Sequence, residues 1–327
     1  MTTIRTFGSL FSGIGGFDLG FERAGMTCRW QVEKDAAARG VLQRRFADVA
    51  RYEYVKDVGR RNLEPVDLIC GGFPCQDVSV AGRRAGLAGE RSGLWFEFAR
   101  IVEELNPRWV VIENVPGLLS SNGGRDFAVI IQGLVKFGYG VCWRVFDAQY
   151  FGVAQRRRRV FIVGSFGDGR AAEVLFEREG LRRGSQTKRA KREAAPTLFA
   201  SGAGTSRTAS AGSESEFLIT ADTLTSGGNG HRGHQDPVNM TLITSNTITT
   251  EEGRRYSPDN ETYVVDWQSG CDVRRLMPVE CERLQGFPDG WTDVQADSVR
   301  YKQLGNAVAV PVAEWIGERI VAVANEK

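Results

Sequence analysis

Short apolar runs alternate with amphipathic stretches along the first 165 residues, and this alternation constrains the fold more than any other feature of the sequence. The apolar runs have the length of buried strands, and the stretches between them have the periodicity of helices. Strands that alternate with helices form a mostly parallel sheet with both faces covered. The sequence therefore predicts an α/β domain, with strands at 4–10, 28–32, 66–70, 109–112, 141–146 and 160–163 and helices at 15–24, 36–46, 93–105 and 125–137.

The pattern changes near residue 168. Residues 168–265 are rich in serine, threonine, glycine and charged residues and show weak periodicity, whereas helical patterning returns at 278–284 and 311–323. We therefore expect three parts. They are a first domain over 1–167, a small, mostly β or irregular insertion over 168–271, and a C-terminal segment, 272–327, that returns to the first domain.

The distribution of charge is more informative than its total. The chain has 42 Lys and Arg residues and 40 Asp and Glu residues, which give a formal net charge of +2. Between residues 151 and 195, however, there are 12 basic residues and 5 acidic ones. This segment is therefore a candidate surface for contact with phosphate groups.

Cysteine usage indicates the class of protein. The 6 cysteines are scattered without a CxxC pair, and the sequence has only 2 histidines. This composition argues against a zinc site and favours a reduced, cytoplasmic protein. No apolar run is long enough to span a bilayer, and glycines interrupt the N-terminal apolar residues that a signal peptide would need.

A glycine-rich loop connects the first predicted strand to the first predicted helix. Glycine lets the backbone approach a ligand closely, and a helix N-terminus favours negative charge. Glu33 lies at the end of the second predicted strand, where a carboxylate can accept hydrogen bonds from ribose hydroxyls. The spacing differs from the GxGxxG of dinucleotide enzymes, which argues against NAD or FAD. We therefore expect a nucleoside cofactor on this loop, which consists of Phe11, Ser12, Gly13, Ile14, Gly15 and Gly16.

A second loop, Gly71-Gly72-Phe73-Pro74-Cys75-Gln76, follows the predicted strand 66–70. In an open α/β sheet, ligands bind beyond the carboxyl ends of the strands. Pro74 biases Phe73 towards extended conformations and stiffens the loop. A cysteine in such a loop is poorly placed for packing, and Cys75 is therefore a candidate nucleophile. Because both histidines lie in the polar insertion, a cysteine protease would lack its base, and we expect arginine to activate the thiol.

Two further motifs bring polar side chains to the same edge of the sheet. Glu113 directly follows strand 109–112, which places a carboxylate beside the cysteine loop. In the run 155–159, an extended backbone would place Gln155, Arg157 and Arg159 on one face and the two intervening arginines on the other. The first face could serve the site, and the second could contact phosphate or solvent.

Taken in order, these motifs resemble those of the DNA cytosine-5 methyltransferase family. The resemblance rests on the glycine loop, on segments 72–76 and 113–115, and on the spacing of Gln155, Arg157 and Arg159. Segments 275–288 and 303–308 fit the two closing motifs of the family. The resemblance covers residues 4–165 and 272–327, and the insertion falls where the family has its variable target recognition domain. It implies a Rossmann-like sheet that binds S-adenosylmethionine.

The resemblance also implies a reaction. A methyl group would pass from S-adenosylmethionine to carbon 5 of a cytosine in double-stranded DNA. The Cys75 thiolate would attack carbon 6, and Glu113 would bind the amino edge and N3 of the ring. Arg157 and Arg159 would orient the base and help to activate the site. The cytosine would have to be flipped out of the duplex to reach these groups.

Further binding residues follow from the same resemblance. Phe11 would pack on adenine, Glu33 would hold the ribose and Asp57 would contact the adenine amino group. Asn306 would brace the cysteine loop and complete the cofactor pocket. Other cofactor contacts are expected from Ser12, Gly13, Ile14, Gly15, Gly16, Gly72, Pro74 and Ala307, and substrate contacts from Gln76, Ser79, Asn114, Val115 and Gln155. No metal ligand is expected.

Three alternatives remain open at the level of the sequence. The first is an RNA cytosine methyltransferase on the same fold. The second is a DNA-binding protein without activity, which the complete catalytic set argues against. The third is a nicotinamide or flavin oxidoreductase, which explains neither the glycine spacing nor the Pro-Cys loop.

Double-stranded DNA is the expected partner, and a restriction endonuclease of the same restriction–modification system is a candidate one. We expect a monomer without membrane contact, since one flipped base requires one active site. The expected location is the cytoplasm, in association with the nucleoid through DNA binding.

Overall fold

The computed structural model describes residues 4–74, 93–176, 263–266 and 272–326, with the backbone alone described for 263–266 and 272–275. Three residues predicted for the site, Cys75, Gln76 and Ser79, lie outside the described residues. The same is true of most of the predicted recognition insertion, including its basic run 182–192. Among the described residues, no helix is both long and apolar enough to cross a membrane.

A seven-stranded sheet forms the centre of the fold, with the strand order β3-β2-β1-β4-β5-β7-β6. The first five strands in this order are parallel, whereas β7 is antiparallel to both β5 and β6. A second sheet, β8-β9, is antiparallel. The strands are β1 (Thr6–Leu10), β2 (Thr27–Val32), β3 (Ala50–Tyr52), β4 (Leu68–Gly71), β5 (Trp109–Asn114), β6 (Tyr139–Asp147), β7 (Arg158–Phe166), β8 (Tyr263–Asp266) and β9 (Asp272–Arg275).

Both faces of the large sheet are buried, as the near-continuous apolar strands require. Along β4 and β5, Leu68 and Val111 pack into one apolar core, whereas Ile69 and Val110 pack into another on the opposite face. The described helices are α1 (Gly16–Arg23), α2 (Ala36–Arg45), α3 (Leu94–Leu105), α4 (Arg125–Lys136), α5 (Ala171–Leu175), α6 (Pro278–Gln285), α7 (Asp297–Asn306) and α8 (Val310–Asn325).

Local sequence explains where several of these helices begin and end. The Asp35 side chain accepts a 2.8 Å hydrogen bond from the Ala38 N–H at the start of α2, which satisfies one of the unpaired donors of the first turn. Helix α6 begins with Pro278, and Gly286 ends it with a left-handed φ of 81°, a conformation that glycine adopts without a steric penalty.

The C-terminal segment returns to the sheet and packs on the first helix. A Cβ atom on Gly20 of α1 would lie 2.6 Å from the Cβ of Ala313 in α8, and one on Gly317 would lie 2.9 Å from the Phe21 ring. Helices α1 and α8 can therefore approach this closely because each has a glycine at the crossing. The last helix thus completes the core beneath β1.

The predicted fold class is confirmed: the chain has a mixed α/β sheet with helices on both faces. Strand β3 and helices α5 and α7 were absent from the sequence prediction. Two of these elements are only three and five residues long, and such short segments carry too few positions for a periodic pattern. The boundaries of the recognition insertion remain a prediction.

Candidate active site

The loop between β1 and α1 turns tightly through left-handed conformations. Phe11, Gly13 and Gly15 have φ angles of 54°, 57° and 87°. Glycine adopts such angles without a steric penalty, whereas Phe11 pays one. Ser12 stabilises the turn with two hydrogen bonds. Its N–H donates to the Val32 carbonyl at 3.1 Å, and its hydroxyl donates to the Ser9 carbonyl at 3.0 Å. The loop is therefore held at the carboxyl ends of β1 and β2.

Glu33 closes this loop from the end of β2. Its carboxylate accepts hydrogen bonds from the N–H groups of Gly13, at 2.7 Å, and Asp35, at 2.8 Å. Burial raises the pKa of Glu33, and these two hydrogen bonds oppose the rise. Each carboxylate oxygen has a second lone pair, so the group can still accept hydrogen bonds from hydroxyls.

The glycine loop has room for a ligand. A Cβ atom built on Gly13 meets no other atom within 4 Å, so a ligand can approach the backbone there. The half-buried Phe11 ring packs at the margin of the apolar core that β4 and β5 share. Asp57 ends a short 3-10 turn and is exposed, and its carbonyl accepts a 2.9 Å hydrogen bond from the Asn62 side chain. The residues present therefore fit a nucleoside cofactor.

Glu113 lies at the end of β5 against the start of the cysteine loop. A Cβ atom on Gly72 would lie 2.8 Å from Glu113 Oε2, so only glycine admits the carboxylate at that point. Arg159, in the neighbouring strand β7, forms an ion pair with Glu113, with 2.9 Å between Nε and Oε1. Burial raises the pKa of the Glu113 carboxyl, while the positive charges of Arg159 and Arg157 oppose the rise.

Asn114 connects β5 directly to the cysteine loop. Its side chain is 4 % exposed, and Nδ2 donates a 2.9 Å hydrogen bond to the Phe73 carbonyl. Its Oδ1 atom accepts a 2.9 Å hydrogen bond from the Val115 N–H. Asn114 thus holds the backbone at Phe73 and Pro74, immediately before Cys75 in the chain.

The expected alternation along 155–159 is present. Gln155 and Arg157 are buried and Arg159 is half-buried, whereas Arg156 and Arg158 are exposed. Both amide atoms of the Gln155 side chain are buried without a hydrogen-bond partner among the described residues.

Arg157 contacts the backbone of the C-terminal segment, whereas its Nε is buried without a hydrogen-bond partner among the described residues. Its two terminal nitrogens donate to the carbonyls of Gly305, at 3.0 Å, and Ala307, at 2.8 Å. Burial and the nearby positive charge of Arg159 lower the pKa of Arg157 to about 9, so the guanidinium remains charged at neutral pH. Arg157 therefore acts on Glu113 by electrostatic attraction, without a hydrogen bond between the two side chains. Asn306, between these two carbonyls, has an exposed side chain at the end of α7.

Sequence reasoning missed one buried group beneath the glycine loop. Asp18 of α1 is fully buried, and burial raises its pKa. It accepts hydrogen bonds from the Ser9 hydroxyl at 3.0 Å and from Gln31 Nε2 at 2.8 Å. It therefore ties together β1, β2 and α1 behind the loop. The signal was present, since a carboxylate lies between Phe17 and Phe21 in an otherwise apolar stretch of α1.

Two solved structures share the fold of this chain. A DNA modification methyltransferase described as encoded within a prophage of E. coli superposes with a TM-score of 0.59 at 22% identity, over 98% of this chain and 100% of its own. The Entamoeba histolytica methyltransferase EhMeth also gives a TM-score of 0.59, at 15% identity, over 99% of this chain and 100% of its own. At these identities the likeness establishes the methyltransferase fold alone.

The family follows from the sequence comparison. Residues 5–322 match the family described as C-5 cytosine-specific DNA methylase, and the chain therefore belongs to that family. The family resemblance seen in the sequence motifs is thus confirmed.

Individual relatives are similar to this chain to about the same degree, but their names differ. Type II methyltransferase M2.BsuMI of Bacillus subtilis is 32% identical over 95% of this chain and 74% of its own length. Type II methyltransferase M.HpaII of Haemophilus parainfluenzae is 29% identical over 97% and 89%. A protein of Escherichia phage P1 named DNA N-6-adenine-methyltransferase is 30% identical over 98% of this chain, which spans 62% of the phage protein.

Proposed function

We propose that this protein transfers a methyl group from S-adenosylmethionine to carbon 5 of a cytosine within a specific short sequence of double-stranded DNA. The observation that carries the proposal is the Glu113–Arg159 ion pair of 2.9 Å at the carboxyl end of β5. It lies against Gly72, three residues before Cys75 in the chain. A buried carboxylate and a guanidinium beside a cysteine loop are suited to cytosine, which offers N3 and an amino group on one edge.

Cys75 is the nucleophile in this proposal. Carbon 5 of cytosine reacts poorly with electrophiles, and attack of the Cys75 thiolate on carbon 6 makes carbon 5 nucleophilic, as in an enamine. The new bond joins Sγ to carbon 6, and the electron pair of the 5,6 double bond becomes available at carbon 5. After carbon 5 has gained the methyl group it loses its proton, and the electrons of that bond restore the double bond and expel Cys75. The products are 5-methylcytosine, the free thiolate, a released proton and S-adenosylhomocysteine, which remains when the bond between sulfur and the methyl group has broken.

Glu113 binds the reacting edge of the base. Because burial raises the pKa of the Glu113 carboxyl, it can hold a proton at N3 while its other oxygen accepts from the amino group. A proton at N3 draws electrons from the ring and so assists attack at carbon 6. Arg159 orients the carboxyl, and Arg157 acts as a positioning residue that fixes the C-terminal segment against β7.

A base stacked in a duplex cannot reach these groups. The cytosine must therefore leave the helix, and flipping costs about a few kcal/mol. Gln155 supports this part of the proposal, because its buried amide has no partner among the described residues and suits a substrate contact. Gln76, Ser79, Asn114 and Val115 complete the expected substrate side of the site.

The cofactor is assigned to the glycine loop and to Glu33. S-adenosylmethionine supplies an electrophilic methyl group on a sulfonium centre. In this proposal Phe11 packs on its adenine, the Glu33 carboxylate accepts from its ribose and Asp57 accepts from its adenine amino group. Further contacts are assigned to 12–16, Gly72, Pro74, Asn306 and Ala307.

Adenine methylation is the second candidate, because the phage P1 relative is named for it. Methyl transfer to the exocyclic N6 of adenine needs no covalent nucleophile, since the amino nitrogen is attacked directly. In the sequence Cys75 directly follows Pro74, three residues after Gly72, which lies against the buried Glu113 carboxylate, and the family match covers 5–322. Both observations favour cytosine.

The first experiment incubates the protein with tritiated S-adenosylmethionine and plasmid DNA, and then identifies the labelled nucleoside by mass spectrometry and its context by bisulfite sequencing. We expect 5-methylcytosine in one short sequence context. Label in N6-methyladenine would favour the second candidate. A parallel reaction with transfer RNA tests the RNA alternative, and label there instead of in DNA would reassign the substrate.

The covalent step has its own test. A duplex with 5-fluorocytosine at the target position should stop at the Cys75 adduct, because carbon 5 then carries fluorine in place of the proton that must leave. Wild-type protein should form a DNA complex that resists denaturant, and Cys75→Ser should lose turnover and the adduct while retaining specific DNA binding. Full turnover in Cys75→Ser would remove Cys75 from this role.

The remaining assignments concern partners and location. The insertion between the two halves of the catalytic domain is assigned to reading the DNA sequence by contacts with base edges. A monomer suffices for one flipped base. Because relatives such as M2.BsuMI and M.HpaII are named as type II methyltransferases, a cognate restriction endonuclease is the proposed functional partner, with both proteins acting on DNA in the cytoplasm.

A further inference from the structure

Trp291 connects the C-terminal segment to the glycine loop. Its indole Nε1 donates a 2.8 Å hydrogen bond to the carbonyl of Ile14, a residue 277 positions earlier in the chain. The tryptophan is 6 % exposed and Ile14 is 1 % exposed. This hydrogen bond is therefore shielded from water, and water cannot readily replace it if the donor is lost.

The turn that carries Trp291 is rigidly held. Glu282, which is fully buried, accepts hydrogen bonds from the Gly290 N–H at 2.7 Å, the Thr292 N–H at 2.8 Å and the Thr292 hydroxyl at 2.5 Å. Arg300 forms an ion pair of 3.1 Å with the same carboxylate. One buried carboxylate thus fixes the backbone on both sides of Trp291.

The indole ring itself is enclosed by the second helix. The guanidinium of Arg45 lies 5.0 Å from the ring centroid, and its Nε donates a 3.0 Å hydrogen bond to the Trp291 carbonyl. Phe46 packs against the ring edge-on at 5.8 Å. The same Phe46 ring would lie 2.7 Å from a Cβ atom on Gly15. Helix α2 therefore contacts both the glycine loop and the tryptophan that supports it.

The C-terminal segment contacts the glycine loop at a second point. A Cβ atom on Gly16 would lie 2.6 Å from the Val308 carbonyl. The loop therefore contacts the C-terminal segment at both Val308 and Trp291. The two left-handed glycines in it have an intrinsically flexible backbone, so these contacts set its conformation.

We propose that Trp291 is a positioning residue for the cofactor site, and that its N–H holds the Ile14 carbonyl so that the glycine loop is shaped to receive the nucleoside cofactor before binding. The inference rests on the proposed cofactor site. Preorganised loops bind more tightly because less ordering is needed on binding. Loss of the donor should therefore weaken cofactor binding without altering DNA binding or the chemical step.

The test compares wild type with Trp291→Phe, which keeps an aromatic ring but removes the donor. S-adenosylhomocysteine serves as the binding probe in calorimetry, and steady-state kinetics give separate KM values for S-adenosylmethionine and DNA. We expect the Kd for the probe and the cofactor KM to rise about 5- to 10-fold, the effect of one hydrogen bond. The kcat at saturating cofactor and the KM for DNA should stay within about twofold.

Trp315→Phe is the matched control. Trp315 lies on α8, where it packs edge-on against Phe146 and Phe151, so its replacement removes the same atoms away from the glycine loop. It should leave the cofactor KM unchanged. If Trp291→Phe does not fold, Thr292→Val removes the hydroxyl that donates to Glu282 and accepts from Arg300, and it should give a smaller rise in the cofactor KM alone.

The outcomes separate the two proposals. If wild type binds S-adenosylhomocysteine and neither variant changes the Kd or the cofactor KM, Trp291 is a packing residue and the inference is wrong. An equal change in every kinetic parameter would likewise indicate a general loss of structure. Failure of wild type itself to bind the probe would contradict the proposed cofactor, whatever the role of Trp291.

Discussion

The side-chain amide of Asn114 donates a 2.9 Å hydrogen bond to the carbonyl of Phe73, so the strand that carries Glu113 also holds the chain that leads to Cys75. The Asn114 side chain is buried, and it bonds to the Val115 N–H with its oxygen. The order Glu113-Asn114 therefore gives one strand two tasks. Glu113 binds the base in the proposed mechanism, and Asn114 holds the backbone at Phe73, two residues before the proposed nucleophile Cys75.

Removal of this amide donor should reduce turnover. We expect Asn114→Ala and Asn114→Asp to lower kcat about 100-fold, since displacement of a reacting group by about 1 Å has an effect of that size. The KM for DNA should change much less. The two variants share only the loss of the N–H group that reaches Phe73, so agreement between them assigns the loss to that hydrogen bond. A kcat within twofold of wild type in either variant would contradict this role.

Replacement of the buried carboxyl at position 113 should separate turnover from DNA binding. We expect Glu113→Gln to lower kcat about 10²- to 10⁴-fold, the usual contribution of a general acid or base. Duplex binding should persist, because the base can still enter the site. Measurement of single-turnover methylation alongside DNA affinity checks both parts. A variant that loses DNA binding in the same proportion would show that Glu113 acts in binding and not in the reaction.

The same variant should show a pH-dependent difference in stability. Burial raises the pKa of Glu113 above its ordinary 4.5, so the unfolded chain ionises first as the pH rises. Wild type therefore loses stability relative to Glu113→Gln between 4.5 and the raised pKa, and the difference is constant at higher pH. Urea unfolding of both proteins from about pH 5 to about pH 8 measures this difference. A difference that moved in favour of wild type with rising pH would mean that ionised Glu113 stabilises the fold.

Arg157 should stabilise the fold by binding the backbone of the C-terminal segment. Its two terminal nitrogens reach the carbonyls of Gly305 and Ala307, and the single ammonium of lysine cannot match this paired geometry. We expect Arg157→Lys to lower the free energy of unfolding by about 1–3 kcal/mol, the cost of a buried acceptor left unpaired. Arg158→Lys, at the exposed neighbouring position, should change it by no more than about 0.5 kcal/mol. Equal midpoints for the two variants in urea would reject the role.

The sequence predicted those parts of the site that depend on local pattern. Glu113 follows an apolar strand and Gly72 follows another, and neighbouring parallel strands bring their carboxyl ends together. The alternation along 155–159 likewise follows from an extended backbone, and the buried and exposed positions agree with it.

Contacts between distant segments had no comparable signal. Arg157 looks like a base-orienting arginine within its motif, but its partners are carbonyls about 150 residues away, and a backbone carbonyl leaves no mark in a sequence. The contact between Trp291 and Ile14 could not be predicted from the sequence either, because its acceptor is also a backbone carbonyl. Strand β3 has three residues and owes its pairing with β2 to the sheet beside it rather than to its own propensity.

The basic run 182–192 should contribute DNA affinity through phosphate contacts. It contains six positive side chains and lies in the predicted recognition insertion, outside the described residues. Each phosphate contact adds about 0.9 to the slope of log K against log salt. Replacement of all six by alanine should therefore weaken duplex binding at low salt and make the slope less steep by up to about five. Methylation of the target at saturating DNA should persist.

A control variant tests whether the loss of positive charge elsewhere on the surface also changes the slope. Arg23 and Arg44 lie on the surface of the catalytic domain, where they pair with Glu314 and Asp293. Their joint replacement by alanine should leave the salt slope unchanged, because both side chains are already paired with carboxylates and exposed ion pairs of this kind contribute little. If instead the slope is the same in wild type and in the six-residue variant, the run is ordinary solvated surface, and the phosphate contacts must come from other residues, with the exposed Arg156 and Arg158 as the first candidates.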